Sequence, residues 1–245
     1  MNVTFDHREP IAKNIVTLWF KPERPVFYVA GQFTEMYLPH AGVDSRGERR
    51  WFTLSSSPTD PLLGITTRLA AEDSSSFKKA LDLLQPGAPL KLADPMGDFV
   101  LPKDTSLPLL FVAAGLGITP VHSMVKWMRD RREERPVHLI YAVSHENELA
   151  FLPLFEEFSA KFGMQFTPVV KHPSAGWQGE SGSLTTSRIL ELAGSAFTNS
   201  AADENALIYL SGPEPMTETF YKELTARGVP NERLVTDYFP GYIQF

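Results

Sequence analysis

Leu109-Leu-Phe-Val-Ala113-Ala-Gly115-Leu-Gly117-Ile-Thr119-Pro120 is an apolar run that ends in a glycine turn and a threonine–proline pair. Such a run, bounded by turn signals, reads as a strand buried on both faces, the kind that builds parallel sheets. Gly115 and Gly117 let a backbone turn tightly and approach a bulky ligand. Thr119 is placed to cap the next helix with Pro120 at its first position, which leaves free N–H groups aimed at an anion. The grammar then repeats. A helix runs to about residue 134 and a strand over 137–142. A helix follows with Phe151, Phe155, Phe158 and Phe162 on one side, then a strand over 165–170 and a helix over 185–192. A strand over 206–210, a helix over 216–226 stopped by Gly228, and a strand near 233–236 complete the chain. Strands alternating with amphipathic helices predict an α/β doubly wound, mostly parallel sheet.

Upstream the rhythm differs. Pro, Gly or Asp breaks the chain roughly every eight to twelve residues, a spacing typical of all-β units. Short stretches of β-type composition lie over 15–20, 27–29, 33–38, 51–54, 63–69 and 90–92, with one helix over 76–84 closed by Pro86-Gly87. This predicts an antiparallel barrel or sandwich. Two domains are expected, 1–104 and 105–245, divided in the polar segment between Pro102 and Pro108.

Composition narrows the chemistry. With 43% hydrophobic and 21% charged residues the 245-residue chain is globular rather than disordered. It has no cysteine, which excludes a disulfide, a thiolate zinc site, a cysteine nucleophile and a cysteine-held iron–sulfur cluster within this chain. No two of its six histidines lie three to five residues apart, so no metal site is expected. Twenty-nine acidic against 23 basic residues give a net charge of −6, without general attraction for nucleic acid or anionic membrane. The N-terminus lacks a signal-peptide layout, and the apolar run over 107–118 is shorter than the roughly 20 residues of a membrane span. A cytoplasmic protein with no membrane insertion is expected.

Ligands of doubly wound sheets bind outside the carboxyl ends of the strands, where strand order reverses. The loop after Ala113 has the chemistry for that place, and so does Ser211-Gly212-Pro213-Glu-Pro-Met216. Either loop alone can carry glycine for steric reasons; the matched pair says more. In the first half, Arg50-Trp51-Phe52-Thr53-Leu54-Ser55-Ser56 sets a guanidinium, aromatic planes and hydroxyls along one strand. Arginine pairs well with phosphate, although a solvated Arg beside a core Phe is the plainer reading. Ser74-Ser75-Ser76 is a second candidate phosphate seat or an ordinary helix cap.

Taken together these motifs resemble the ferredoxin–NADP reductase-like family of flavoprotein reductases, over essentially the whole chain and in the family's order, which implies an antiparallel Greek-key β-barrel followed by an α/β doubly wound parallel sheet. The resemblance implies that Arg50 binds a flavin phosphate, Phe52 packs on the isoalloxazine beside Trp51, and Thr53 approaches its reactive N5 edge. Thr67 and Arg68, with Ser74, Ser75 and Ser76, would hold the rest of an FAD, preferred over FMN. Pro95-Met-Gly97-Asp-Phe99 resembles the motif that closes the barrel, and Trp177-Gln-Gly179-Glu180-Ser-Gly182 an element of some members. Gly115, Gly117, Thr119 and Pro120 resemble the nicotinamide-nucleotide loop. Ser211, Gly212, Pro213 and Met216 match a Cys-Gly-Pro-x-x-Met motif except at its first residue. Asp237 and Phe239 fall in the C-terminal element that reaches back to the flavin, with Asp237 in place of Glu. Ser144 stands where NADP-selective relatives often have Arg, which favours NADH as co-substrate, although Lys171 or His172 could bind NADPH instead. By this resemblance Thr53, Ser211 and Asp237 are the catalytic candidates, and no metal takes part. The implied function is hydride transfer from NAD(P)H to FAD and then electron delivery to a separate ferredoxin, oxygenase component or small oxidant. A free-flavin reductase and a non-catalytic redox sensor are the alternatives.

Overall fold

The computed structural model describes residues 1–69, 74–194 and 206–239, the last two by their backbone alone. Six antiparallel strands come first: β1 (Asn2–Ala12), β2 (Ile15–Pro22), β3 (Phe33–Tyr37), β4 (Arg49–Thr53), β5 (Leu63–Arg68) and β6 (Pro89–Leu92). Their order is β4-β3-β6-β1-β2-β5, with the short helix α1 (Ser76–Asp82) between β5 and β6. The sheet curls like a barrel without closing. Its edge strands β4 and β5 form no ladder among the described residues; just beyond β4 the backbone N–H groups of Ser55 and Ser56 donate to the Gly64 carbonyl, at 2.8 and 3.4 Å, and side-chain bonds from Ser55 and Ser56 reach Thr66 and Gly64. The carbonyls of Ser55 and Ser56 are spent on the second half of the chain, through His122 Nδ1 at 2.7 Å and Ser123 Oγ at 2.5 Å, so no ladder continues there.

The second sheet contains β7 (Leu109–Ala114), β8 (Val137–Val143), β9 (Gln165–Val170), β10 (Glu180–Ser181), β11 (Leu207–Pro213) and β12 (Leu234–Phe239). All are parallel, in the order β10-β9-β8-β7-β11-β12. The chain winds outward from β7 to β10, returns, and continues from β11 to β12, so the strand order reverses between β7 and β11. Helices α2 (Ile118–Arg131) and α3 (Leu152–Phe162) cover one face; α4 (Thr186–Ala193) and α5 (Glu214–Ala226) cover the other. β7 shows why its sequence is apolar throughout. Leu109, Phe111 and Ala113 pack with α2 and α3, whereas Leu110 and Val112 pack with α4 and α5. Burying each such large side chain stabilises the fold by about 1.5–3 kcal/mol. Ile15, Ala30 and Phe99 of the first half join the α2–α3 core, so apolar packing crosses the seam.

Two sequence expectations change. Residues 27–29 form a loop, with Phe27 91% exposed. Their aromatic composition imitates a strand, but the Tyr28 hydroxyl is bound to Ser56 and no neighbouring strand pairs with them. β1, by contrast, went unread because His7, Arg8 and Glu9 break its apolar pattern. It is the strand between β6 and β2, with much of its second half turned to solvent. Among the described residues no helix is long and apolar enough to cross a membrane.

Candidate functional site

A cavity of about 610 Å³ opens at the carboxyl ends of β7, β8, β9 and β11, at the reversal of strand order. Gly115, Gly117, Ser144, Gly212, Pro213 and Met216 line it, so six predicted residues from three loops converge there. Gly115 has φ +53°, a left-handed conformation that glycine adopts without strain. Gly117 passes directly over β11: a Cβ there would stand 2.2 Å from the Ser211 carbonyl oxygen. Lys171, Arg68 and Glu148 complete the walls. Arg68, at the end of β5, pairs with Glu148 at 3.0 Å, which brings the antiparallel sheet to the edge of this cavity. Gly182, from the element quoted over 177–182, also lines the cavity; Glu148, Ser183 and Leu184 carried no signal in the sequence strong enough to single them out.

Thr119 does not cap α2. The turn 115–117 is already helical (3-10), so α2 starts at Ile118 with Gly117 as its cap, and Thr119 and Pro120 are buried in the first turn. The Thr119 hydroxyl donates to the Leu116 carbonyl at 2.9 Å. No side chain caps the α2 N-terminus. Ser211 is fully buried, and its Oγ has no hydrogen-bond partner among the described residues. In register it lies between Ala113 of β7 and Asp237 of β12. The Phe239 backbone pairs with Pro213 at the end of the ladder; its side chain lies outside the described residues.

The other predicted residues surround the end of β4. Arg50 Nη1 donates to the carbonyls of Arg46, Gly47 and Arg49 at 2.7, 3.1 and 2.6 Å. Its Nη2 is 3.5 Å from Asp44 Oδ1 and makes no hydrogen bond. The guanidinium lies 5.0 Å over the Phe77 ring, against which Phe52 also tilts at 6.0 Å. Asp44 gathers the candidate phosphate donors: Ser76 N–H donates to its Oδ2 at 3.1 Å, opposite Arg50. The backbone N–H of Arg46, the leading cause, holds the Asp44 carboxyl down to about 2. Ser75 caps α1 by accepting from Lys78 N at 3.2 Å. Ser74, Ser75 and Ser76 line a second cavity, of about 510 Å³, with His40, Asp44 and Arg46. Trp51 is half-exposed and meets Phe33 edge-on. Trp51, Phe52, Thr53 and Thr67 line neither cavity, and Thr53 and Thr67 are buried in the sheet.

Between the two regions stands α2. His122 is half-buried and stacked on Phe151 at 3.7 Å, and desolvation lowers its pKa to about 4. It is therefore neutral near pH 7, and a proton on Nδ1 serves the Ser55 carbonyl, two residues beyond Thr53. One turn later Lys126 pairs with Asp60 at 2.7 Å.

Residues 111–222 match the family model described as an oxidoreductase NAD-binding domain. The chain is 28% identical over 204 residues to the toluate 1,2-dioxygenase electron transfer component of Pseudomonas putida, covering 82% of this chain and 56% of that protein. It is 27% identical over 245 residues to the stachydrine N-demethylase reductase subunit of Rhizobium meliloti, covering 97% of this chain and 67% of the relative. Thus the chain spans between about half and two thirds of these reductase components. With the NAD(P)H-flavin reductase of Aliivibrio fischeri the identity is 25% over 238 residues, 94% of each chain. In fold it is similar to an Amycolatopsis cytochrome P450 reductase, with a TM-score of 0.81, 23% identity and coverage of 98% of this chain and 70% of the other. The FAD/NAD-binding domain of a Vibrio cholerae nitric oxide dioxygenase matches at a TM-score of 0.80 and 19% identity, over 97% and 98% of the two chains.

Proposed function

We propose that the chain is a ferredoxin reductase-like oxidoreductase that passes reducing equivalents from NAD(P)H through a bound flavin to a separate acceptor, a reading supported by the NAD-binding match over 111–222, the reductase relatives and the shared fold. One observation carries the reading: the nucleotide-type cavity at the strand reversal has Arg68 of the antiparallel sheet in its wall, so both halves contribute to a single cleft. Residues 1–104 are taken as the flavin-binding half and 105–245 as the nucleotide-binding half. A cytoplasmic location fits a consumer of reduced nicotinamide nucleotide.

The residues present suit both groups. Arg50 has a donor without a hydrogen bond and faces Asp44, which shares the Ser76 N–H; a phosphate would compete for the same donors. The cavity along Ser74, Ser75 and Ser76 adds room beyond one phosphate, which favours FAD over FMN. Phe52 and Trp51 supply aromatic planes, Thr53 a hydroxyl beside them, and Thr67 and Arg68 the neighbouring strand. Gly115 and Gly117 bring backbone close to a pyrophosphate at the uncapped start of α2. Gly212, Pro213 and Met216 form an apolar bed for the nicotinamide end, with Ser211 buried just beneath it. Asp237, its neighbour in register, is placed to act on the same end, and Phe239 follows it. When bound, the flavin supplies the redox chemistry itself, accepting hydride and releasing electrons. The protein's task is to orient the two rings and exclude water; no general acid or base is required.

Ser144 in the cavity wall offers no cation for a 2′-phosphate, which favours NADH, with Lys171 on the same wall as the route to NADPH. This sequence has no cysteine to hold an iron–sulfur cluster, so the acceptor is another domain, another chain or a small oxidant. Coverage of 94% of both chains in the flavin-reductase match supports a second reading, in which flavin is released as product. Gel filtration followed by anaerobic mixing separates these outcomes. A retained yellow chromophore bleached by NADH supports the first reading, and colour lost on the column supports the second. Failure of either nucleotide to reduce bound or added flavin overturns both.

A further inference from the structure

The cavity along Ser74, Ser75 and Ser76 has a carboxylate in its wall, Asp44, from the loop between β3 and β4. The Arg46 N–H donates to Asp44 Oδ1 at 2.9 Å; Arg46 Nη2 and the Ser76 N–H donate to Oδ2, each at 3.1 Å. Arg50 Nη2 stands 3.5 Å from Oδ1 and does not itself line the cavity. The Asp44 N–H in turn donates to Ser76 Oγ at 2.9 Å, and His40 Nε2 pairs with that same hydroxyl at 2.9 Å. Two backbone N–H groups and two guanidinium groups thus converge on one small anion, as they do on a phosphoryl group. The Asp44 side chain remains 28% exposed, so its charge is open to whatever enters. Chiefly through the Arg46 N–H the carboxyl is held low, and it is ionised near neutral pH. Of the cations in the described wall, Arg46 is spent on Asp44, which leaves Lys79, without an ion pair among the described residues.

We propose, resting on the flavin reading of this cavity, that Asp44 fixes which flavin the chain retains. It admits a phosphodiester, as in FAD, and turns away a terminal phosphate dianion, as in FMN. A phosphoryl group here lies beside a fixed negative charge, with Lys79 as the cation left to meet it. In the dinucleotide each phosphoryl carries one charge, and the second can stand clear of Asp44. In the mononucleotide both charges sit on one phosphoryl above about pH 6, so its repulsion from the carboxylate is roughly doubled. A carboxylate that served the loop alone would act on phosphorylated and unphosphorylated flavins alike.

Fluorescence titration of the full chain, freed of flavin, with FAD, FMN and riboflavin at pH 8 tests this. Asp44→Asn keeps the side-chain shape and removes the charge. It should bind FMN about tenfold tighter than the parent, FAD at most about threefold tighter, and riboflavin as before. Asp44→Glu keeps the charge and should leave the FMN-to-FAD affinity ratio within about twofold of the parent's. Asp44→Ser removes the same charge and decides the matter if Asp44→Asn does not fold. With flavin still bound, an equal gain for all three flavins, an unchanged FMN-to-FAD ratio or weaker FMN binding in the neutral variant overturns the proposal and leaves the flavin reading standing. Binding of no flavin by parent or variant overturns that reading, and the proposal with it.

Discussion

Replacing Gly117 with alanine tests the glycine loop where it crosses β11. The added Cβ would stand 2.2 Å from the Ser211 carbonyl oxygen, 2.5 Å from its carbon and 2.7 Å from Gly212 Cα. All three are backbone atoms, so no side chain can rotate away. With ordinary contact at about 3.5 Å, the loop and β11 must part by roughly 1 Å. Forced overpacking of this kind costs about 1–3 kcal/mol, and the absence of a flexible neighbour points to the upper half of that range. At about 2–4 °C per kcal/mol, Tm should fall by roughly 4–12 °C. A 1 Å misplacement in a cleft that aligns two rings should also slow flavin reduction by about 10²-fold. Gly115 is the control: a Cβ there meets nothing, but φ is +53°. Gly115→Ala should cost about 1–2 kcal/mol from backbone strain alone, and Gly115→Asn less, since asparagine tolerates that conformation. Urea unfolding and stopped-flow reduction read both quantities. A Gly117→Ala protein as stable and as fast as its parent, or milder than Gly115→Ala, would refute the close approach.

Arg50→Ala removes charged hydrogen bonds worth roughly 1.5–3 kcal/mol each, so flavin should bind about tenfold to a hundredfold weaker; fluorescence titration of the apoprotein checks this. Ser144→Arg should shift preference toward NADPH and Lys171→Ala away from it, read as the ratio of kcat/KM for the two nucleotides. Burial holds His122 and His138 at about 4, below the unfolded value of 6.5. Between pH 6.5 and 4 the unfolded chain therefore takes up protons that the folded chain refuses, and stability is lost as pH falls through that window. Each histidine contributes at most about 1.4 kcal/mol per pH unit. His122→Asn should remove one histidine's share of that slope, which urea midpoints at pH 7, 6 and 5 will show.

Local signals were legible where burial is uniform. β7 and β8 fall where their apolar composition places them, because each is enclosed by neighbouring strands and buried almost throughout. β1 was illegible because half of it is turned to solvent, where charged residues are tolerated and the period of two disappears. Thr119-Pro120 resembles a helix start, yet the preceding glycines already form a helical turn, a tertiary choice that no local rule specifies. The convergence of Gly115, Ser144 and Gly212 on one cavity follows from sheet order and could be anticipated. The part of Asp44 could not, because its connection to Arg50 and Ser76 depends on a loop folding back onto the start of α1.

Helix α2 begins at the glycine turn, binds the Ser55 and Ser56 carbonyls one turn in, and pairs with Asp60 a turn further on. Fourteen residues at 1.5 Å each make it a rod about 21 Å long. Such a rod serves as a ruler, since it fixes how far the glycine turn stands from the end of β4. With the cofactors seated as proposed, a single element would set the spacing between the glycine turn and the strand that ends at Thr53, rather than two surfaces settling independently.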